Sequence, residues 1–307
     1  MINPKKKLCI YIHFGTDSRL PESVLIYINE LKKFYEHFII VTNERSISNE
    51  NEAIDSRTTI LQVKNEGYDL GMFYKAFQTI NPEEFDQIAC INDSNVLINE
   101  LKEVFDWSKK KAFDFWGIID SHQKPEFSTH ADNYHIQSHF LIFNKRAISL
   151  LPVFFERVQI QEIYEMTDQK RLRETVINTW EIGLSQFFIH RGLTCGSFIN
   201  SHSFSQLYGA KAGNATLKLY PELIRAGYPL LKKKVITKGK VKDIFRNQSH
   251  WKNLVRQYGN ENWEIDRLLI ELHHLKASHG NQPLMKVNRQ LRKIAHRLKN
   301  SLQNFSS

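Results

Sequence analysis

Leu8-Cys9-Ile10-Tyr11-Ile12-His13-Phe14 is an apolar run of strand length. Pro21 to His37 then sets Val24, Leu25, Ile28, Leu31 and Phe34 at helical spacing, and Phe38-Ile39-Ile40-Val41-Thr42 is apolar again. Short apolar runs bounded by polar residues read as buried strands, and spacing by three and four reads as an amphipathic helix. The alternation continues: Thr59 to Val63 predicts a third strand, Met72 to Ile80 a helix, and Gln87 to Ile91 a fourth strand that stops at Asn92-Asp93-Ser94-Asn95. Repeated strand, helix, strand predicts an α/β, Rossmann-type, mostly parallel sheet flanked by helices.

Ligands of such sheets bind beyond the carboxyl ends of the strands. Those ends carry His13 to Asp17, Asn43 to Arg45, Lys64 to Gly71 and Asn92 to Asn95, a polar rim over an apolar sheet. Farther on, Leu101 to Lys110 predicts a helix and Phe113 to Ile119 a strand. A long polar loop, Asp120 to Tyr134, leads to a strand over His135 to Phe143, and helical patterns follow at Ala147 to Phe155, Asp168 to Arg173 and Glu181 to His190.

The 307 residues are 41% hydrophobic and 24% charged, which suits one well-buried core. No apolar run approaches the roughly 20 residues that cross a bilayer, and no small-residue cleavage site follows Leu8 to Phe14, so a cytoplasmic location is expected. Cys9, Cys90 and Cys195 are far apart and odd in number, which predicts free thiols. The net charge of +9 is unevenly spread: residues 1–228 hold 25 Lys and Arg against 28 Asp and Glu, whereas residues 229–307 hold 17 against 5. The excess is therefore a C-terminal feature. It argues against a basic globular face for nucleic acid, and no stacking aromatics are interleaved among the basic residues of the tail.

From Lys232-Lys233-Lys234 the chain becomes a basic connector, after which Trp263 to Ala277 and Leu284 to Phe305 predict two helices. The expected division is thus residues 1–235 and a basic helical appendage, 236–307. The segment 284–305 has Leu284, Val287, Leu291, Ile294, Leu298, Leu302 and Phe305 on one face and six basic residues with no acidic one. Docking on anionic lipid and packing as a hairpin or coiled coil against its own chain or a partner both fit that pattern.

The most specific stretch is Asn65-Glu66-Gly67-Tyr68-Asp69-Leu70-Gly71-Met72, between a strand and a helix. Its glycines permit close backbone approach, and the helix start offers free N–H groups to phosphate; a tight turn with a capping Asp is the plainer alternative. Asn92-Asp93-Ser94 delivers one carboxylate among amide and hydroxyl oxygens, able to hold a divalent ion or a ribose, or only to cap the next turn. Strand alternation puts His135, Gln137 and His139 on one face, suited to sugar hydroxyls or phosphate; no third ligand makes them a zinc site.

Taken in order, Asn65-x-Gly67-x-Asp69-x-Gly71, Asn92-Asp93-Ser94, Asp114-Phe115-Trp116-Gly117, His135-x-Gln137-Ser138-His139-Phe140 and Pro221-x-Leu223-Ile224 resemble the rhamnan synthesis F family over most of the first 235 residues. That family is grouped with GT-A glycosyltransferases of bacterial surface polysaccharide synthesis. The resemblance implies a GT-A-like fold and a nucleotide-sugar transferase, with rhamnose from a thymidine-diphosphate donor as the sugar. It implies a growing lipid-linked glycan as acceptor, and the basic C-terminal helices would then hold the enzyme peripherally at the inner face of the cell membrane or against a partner enzyme. Asn65 to Gly71 would lie near the donor, and Asn92-Asp93-Ser94 would stand where an Asp-x-Asp metal motif is usual. With one Asp instead of two, Asp93 would either contact the donor sugar or hold a single Mg²⁺ or Mn²⁺. His13, Arg45, His135 and His139 are candidates to neutralise the leaving diphosphate in a metal's place. Glu181, expected at a helix start, resembles in placement the base of inverting GT-A enzymes, and Asp120 is the reserve. A non-catalytic scaffold retaining the fold is the alternative.

Overall fold

The computed structural model describes residues 6–15, 19–43, 54–209, 213–237 and 250–280. Arg45, Asp17 and the segment 284–305 lie outside the described residues. An eight-stranded sheet forms the centre. Strands β1 (Lys7–His13), β2 (His37–Thr42), β3 (Thr58–Gln62) and β4 (Gln87–Asn92) are parallel, in the order β3-β2-β1-β4. Beyond β4 and a short β5 (Asn95–Leu97), the sheet gains β6 (Phe115–Ser121), β7 (His135–Ile136), β8 (Phe140–Asn144) and β9 (Cys195–Ile199). β8 runs antiparallel between β4 and β6, whereas β9 is parallel to β6. The mostly parallel, helix-flanked sheet expected of a GT-A-like chain is present, with β8 reversed between β4 and β6 and β7 reversed beside β6.

Successive residues of β1 serve opposite cores. Leu8, Ile10 and Ile12 point into one cluster with Phe73, Phe143, Phe155 and Trp180, while Cys9 and Tyr11 point into another with Tyr27, Leu31, Phe105 and Trp116. Burial on both faces explains why β1, β2 and β4 read as continuous apolar runs rather than alternating ones. Helix α1 (Glu22–Leu31) covers the second face together with α3 (Lys102–Lys109). The first face is covered by α2 (Tyr68–Phe77) and α4 (Lys145–Arg157), and by the helical run that follows the short α5 (Ile160–Glu165).

That run corrects one expectation. Glu181 does not open a helix: α6 (Gln169–Val176) passes through a π-helical stretch, Ile177–Gly183, directly into α7 (Leu184–Ile189). Within it the Asn178 carbonyl accepts from His130 Nε2 at 3.0 Å, and the Asn178 side chain accepts from the Thr129 amide at 3.0 Å. The polar loop before β7 thus supplies the partners the π turn needs, and such turns are frequent at functional sites.

A second correction concerns His135 to Phe143, which is not one strand. Asp120 pairs with Ile136 and Gly117 with Leu141, so two more residues lie on the 136–141 side than on the 117–120 side. The surplus is a bulge at Gln137-Ser138-His139, and it abolishes the strict alternation on which a common face for His135, Gln137 and His139 depended. Gly117 makes room: a Cβ there would stand 2.2 Å from Ile136 Cγ2 and 2.5 Å from the Phe140 carbonyl oxygen.

After α8 (Ser201–Leu207), α9 (Ala215–Lys218) and α10 (Tyr220–Arg225), β10 (Leu230–Lys232) pairs antiparallel with β5, and α11 (Lys233–Thr237) follows without a break. Helices α12 (His250–Tyr258) and α13 (Ile265–Gly280) pack with this small sheet and α1, around Val96, Ile98, Leu231, Trp251, Leu254 and Leu268. Ser23 Oγ donates to Glu271 Oε1 at 2.6 Å, and Arg267 meets Glu22 at 3.1 Å. Among the described residues no helix is long and apolar enough to cross a membrane.

Candidate functional site

A cluster of polar side chains lies at the carboxyl ends of β1 and β4. His13, the last residue of β1, is buried, and its Nδ1 stands 2.8 Å from Asp93 Oδ2. Asp93 follows β4, its amide held by the Ile12 carbonyl at 3.1 Å. The same Oδ2 accepts from Lys233 Nζ at 3.1 Å. Burial alone would raise the Asp93 pKa, but the Lys233 ammonium and the His13 hydrogen bond outweigh it and hold the carboxyl below its ordinary value. Lys233 is 140 residues from Asp93 in the chain and arrives through the β5–β10 pairing, which continues as a hydrogen bond from the Lys233 amide to the Ser94 carbonyl at 2.9 Å. Reading the sequence placed Lys233 in a basic connector. The signal that it belongs to the site was the apolar Leu230-Leu231 just before it.

Two further carboxylates, Asp69 and Glu181, belong to the cluster. Asp69 sits in the first turn of α2, entered through two successive left-handed residues, Gly67 at φ 72° and Tyr68 at φ 54°. Glycine takes that conformation freely, whereas for Tyr68 it costs on the order of 1 kcal/mol. Gly71 is required by packing, since a Cβ there would meet the Glu66 carbonyl oxygen at 1.8 Å and the Tyr164 ring at 2.9 Å. Gly71→Ala is accordingly expected to cost about 2–3 kcal/mol of stability, measured as a fall in the denaturant midpoint; an unchanged midpoint would mean the turn can widen. Asn65 is exposed in the connection before α2.

Asn92 Nδ2 donates to Asp69 Oδ2 at 3.2 Å, and Ser138 Oγ, carried into the cluster by the bulge, donates to Glu181 Oε1 at 2.9 Å. Burial and the neighbouring Glu181 charge push the Asp69 pKa up to about 6, against hydrogen bonds from Ser138 and Asn92 that favour its ionised form. Asp69, Ser138 and Glu181 therefore form a short acid–hydroxyl–acid row in which Asp69 keeps its proton to about pH 6, well above the ordinary carboxylate range. Lys232 faces Glu181: burial lowers its pKa and the carboxylate opposes that shift. His139 is buried, held well below the usual histidine value by burial and by Lys232, and its Nε2 lies 3.0 Å from the Tyr228 hydroxyl.

The raised Asp69 pKa has a defined sign. Below about pH 4 the carboxyl is protonated both folded and unfolded; between about pH 4 and 6 the unfolded chain ionises first, so stability falls as pH rises, and above about 6 a penalty on the order of 3 kcal/mol is complete. Asp69→Asn should remove that fall and raise the thermal midpoint at pH 7 relative to wild type. A variant less stable at pH 7 than at pH 4 by the wild-type margin would show that Asp69 does not carry the dependence.

Other predicted residues are placed differently. His135 Nδ1 lies 2.7 Å from the Asn133 carbonyl, and burial lowers the His135 pKa. Gln137 Nε2 donates to the Asp120 carbonyl at 3.3 Å. Asp120 itself is turned toward β9 and α8: Oδ1 accepts from the Ser201 amide at 2.7 Å, and Oδ2 from Ser197 Oγ at 2.8 Å and Asn200 Nδ2 at 3.3 Å. Its oxygens are spent on anchoring the start of α8.

The donor set at Asp93 does not suit a divalent cation. Hard cations need several oxygen ligands, yet Asp93 Oδ2 already meets His13 and Lys233, and the Asn92 amide nitrogen is turned to Asp69. Asn92 Oδ1 accepts from the Ser94 amide at 3.1 Å, and Ser94 Oγ accepts from Asn95 Nδ2 at 3.1 Å. Among the described residues no group of three or more His, Cys, Asp or Glu is placed to hold a metal ion.

The fold and this site define an α/β protein with a mostly parallel, helix-flanked sheet and a cluster of polar groups beyond the carboxyl ends of the strands, where sheets of this kind bind ligands. The chain belongs to the rhamnan synthesis protein F family, which it matches over residues 5–300, including α12 and α13. No curated protein matches it. Solved structures similar to it include a 4-diphosphocytidyl-2C-methyl-D-erythritol synthase from Anaerococcus prevotii, with 13% identity, 64% of this chain and 90% of that one covered, and a TM-score of 0.40. A provisionally assigned nucleotide-diphospho-sugar transferase from Desulfovibrio desulfuricans has 13% identity, covers 84% and 100%, and has a TM-score of 0.38. A provisionally assigned glucose-1-phosphate thymidylyltransferase from Bacillus anthracis has 10% identity, covers 63% and 86%, and has a TM-score of 0.39.

Proposed function

We propose that this protein is a glycosyltransferase that moves a sugar from a nucleotide-sugar donor to a growing, lipid-linked surface glycan. The family name suggests rhamnan as the product and rhamnose as the sugar. The observation that carries the reading is that two lysines, Lys232 and Lys233, and two carboxylates, Asp69 and Glu181, meet over the strand ends. Such a cluster can bind a diphosphate and accept a proton within one site.

In an inverting transfer the acceptor hydroxyl attacks the anomeric carbon as the bond from that carbon to the diphosphate oxygen breaks. The hydroxyl proton passes to Glu181, and the electron pair of the broken bond leaves with the diphosphate. Ser138 orients the Glu181 carboxylate, and Asn92 orients Asp69. His13, Asp93, Ser94 and His139 border the donor, and the basic segment 284–305 holds the enzyme at the inner membrane face or against a partner enzyme. The test is turnover of a panel of nucleotide sugars with lipid-linked acceptors, together with the thermal shift each donor causes. Donor-specific stabilisation with turnover supports the transferase. Stabilisation without turnover supports a non-catalytic scaffold, and no stabilisation by any donor rejects both.

A further inference from the structure

Asp93 stands where the family resemblance leads one to expect a metal, but its charge is answered from within the chain. Lys233 reaches it from α11 with its backbone fixed at both atoms: the amide donates to the Ser94 carbonyl at 2.9 Å, and the carbonyl accepts from Thr237 Oγ1 at 3.2 Å. The ammonium spends one donor on Asp93 Oδ2, and the side chain is 21% exposed while that of Asp93 is 15% exposed. An ammonium has three donors, so among the described residues a fixed cation with donors to spare lies at the strand ends, beside His13 on the same carboxylate oxygen and next in sequence to Lys232.

We infer that Lys233 is the built-in counter-cation of this site: Asp93 orients its ammonium, which binds the diphosphate of a nucleotide without a divalent metal. The inference rests on the transferase reading and names how that site holds its donor. As the bond from the anomeric carbon to oxygen breaks, both electrons remain on the diphosphate; Lys233 stays protonated and neutralises the new charge, so no proton moves at this position. Asp93 then acts as a positioning residue rather than a metal ligand, which accounts for a single carboxylate between Asn92 and Ser94: one acid suffices to hold one ammonium, whereas a divalent ion calls for more oxygen ligands.

The experiment is calorimetric titration of the full chain with thymidine, uridine and guanosine diphosphates and with inorganic pyrophosphate, each in EDTA and again with Mg²⁺ or Mn²⁺. The expected result is binding of at least one nucleoside diphosphate in EDTA, changed less than about threefold by either metal. Lys233→Met should weaken it about tenfold or more and Lys233→Arg should largely restore it, as loss and retention of a charge-assisted contact require. Binding that appears only with metal overturns the inference in the wild-type protein, whether or not any variant folds. A folded Lys233→Met protein that binds as wild type does so equally, and both results leave the transferase reading standing. No binding of any probe under either condition overturns the transferase reading and this inference together.

Discussion

Glu181→Gln is expected to lower sugar transfer by about 10²- to 10⁴-fold, the range for loss of a general base, with nucleoside diphosphate binding within about a factor of two of wild type. Gln keeps the size of the side chain and an oxygen to accept from Ser138 Oγ, so the hydrogen bond at 2.9 Å survives while the proton acceptor is lost. The π-helical stretch places the residue opposite Lys232 and beside Asp69, and substitution leaves that backbone untouched. The decisive readout is the split between turnover and binding. A variant that transfers normally would remove Glu181 as the base, and a variant that loses donor binding in step with turnover would make it a binding residue.

Asp120→Ala is expected to be the most destabilising of the substitutions considered, by about 3–4 kcal/mol, because it strips the acceptor from a charged, buried hydrogen-bond network. The Ser201 amide and the Asn200 side-chain amide lose the Asp120 acceptor, Ser197 Oγ keeps only the Ile199 carbonyl, and the start of α8 is released from β6. The measurement is the urea midpoint together with transfer per folded molecule at low temperature. The midpoint should fall sharply and specific transfer should stay within a few fold. A protein that unfolds like wild type but no longer transfers would return Asp120 to the chemistry and displace Glu181.

Much of the frame was legible in residue order. The runs at Leu8, Phe38 and Gln87 are strands within one or two residues of their expected ends, because strands buried on both faces leave a continuous apolar signature, and the half-exposed edge strand at Thr59 is offset by one residue. α2 begins at Tyr68 rather than near Met72, since Tyr68 adopts a left-handed conformation that propensity does not anticipate, and this brings Asp69 into the first turn. Helix α12 was hidden within the stretch read as a basic connector: its apolar face is only Trp251, Leu254 and Val255, and its burial depends on the small sheet it covers.

The site divides along the same line. Residues that terminate a parallel strand, His13, Asn92 and Asp93, could be named from sequence because strand polarity alone puts them at one edge. Lys233 could not, since its place depends on an antiparallel pairing between β5 and β10, more than 130 residues apart. The bulge that separates His135 from His139 and the π turn that aims Glu181 inward are likewise register events. They arise when a surplus residue has no room in a ladder or a helix, and the surplus exists only relative to a partner segment. Local apolar patterning, a property of the chain, determined the sheet and its edge. Which carboxylate meets which cation was decided by long-range pairing, whose energy is absent until the partners are brought together.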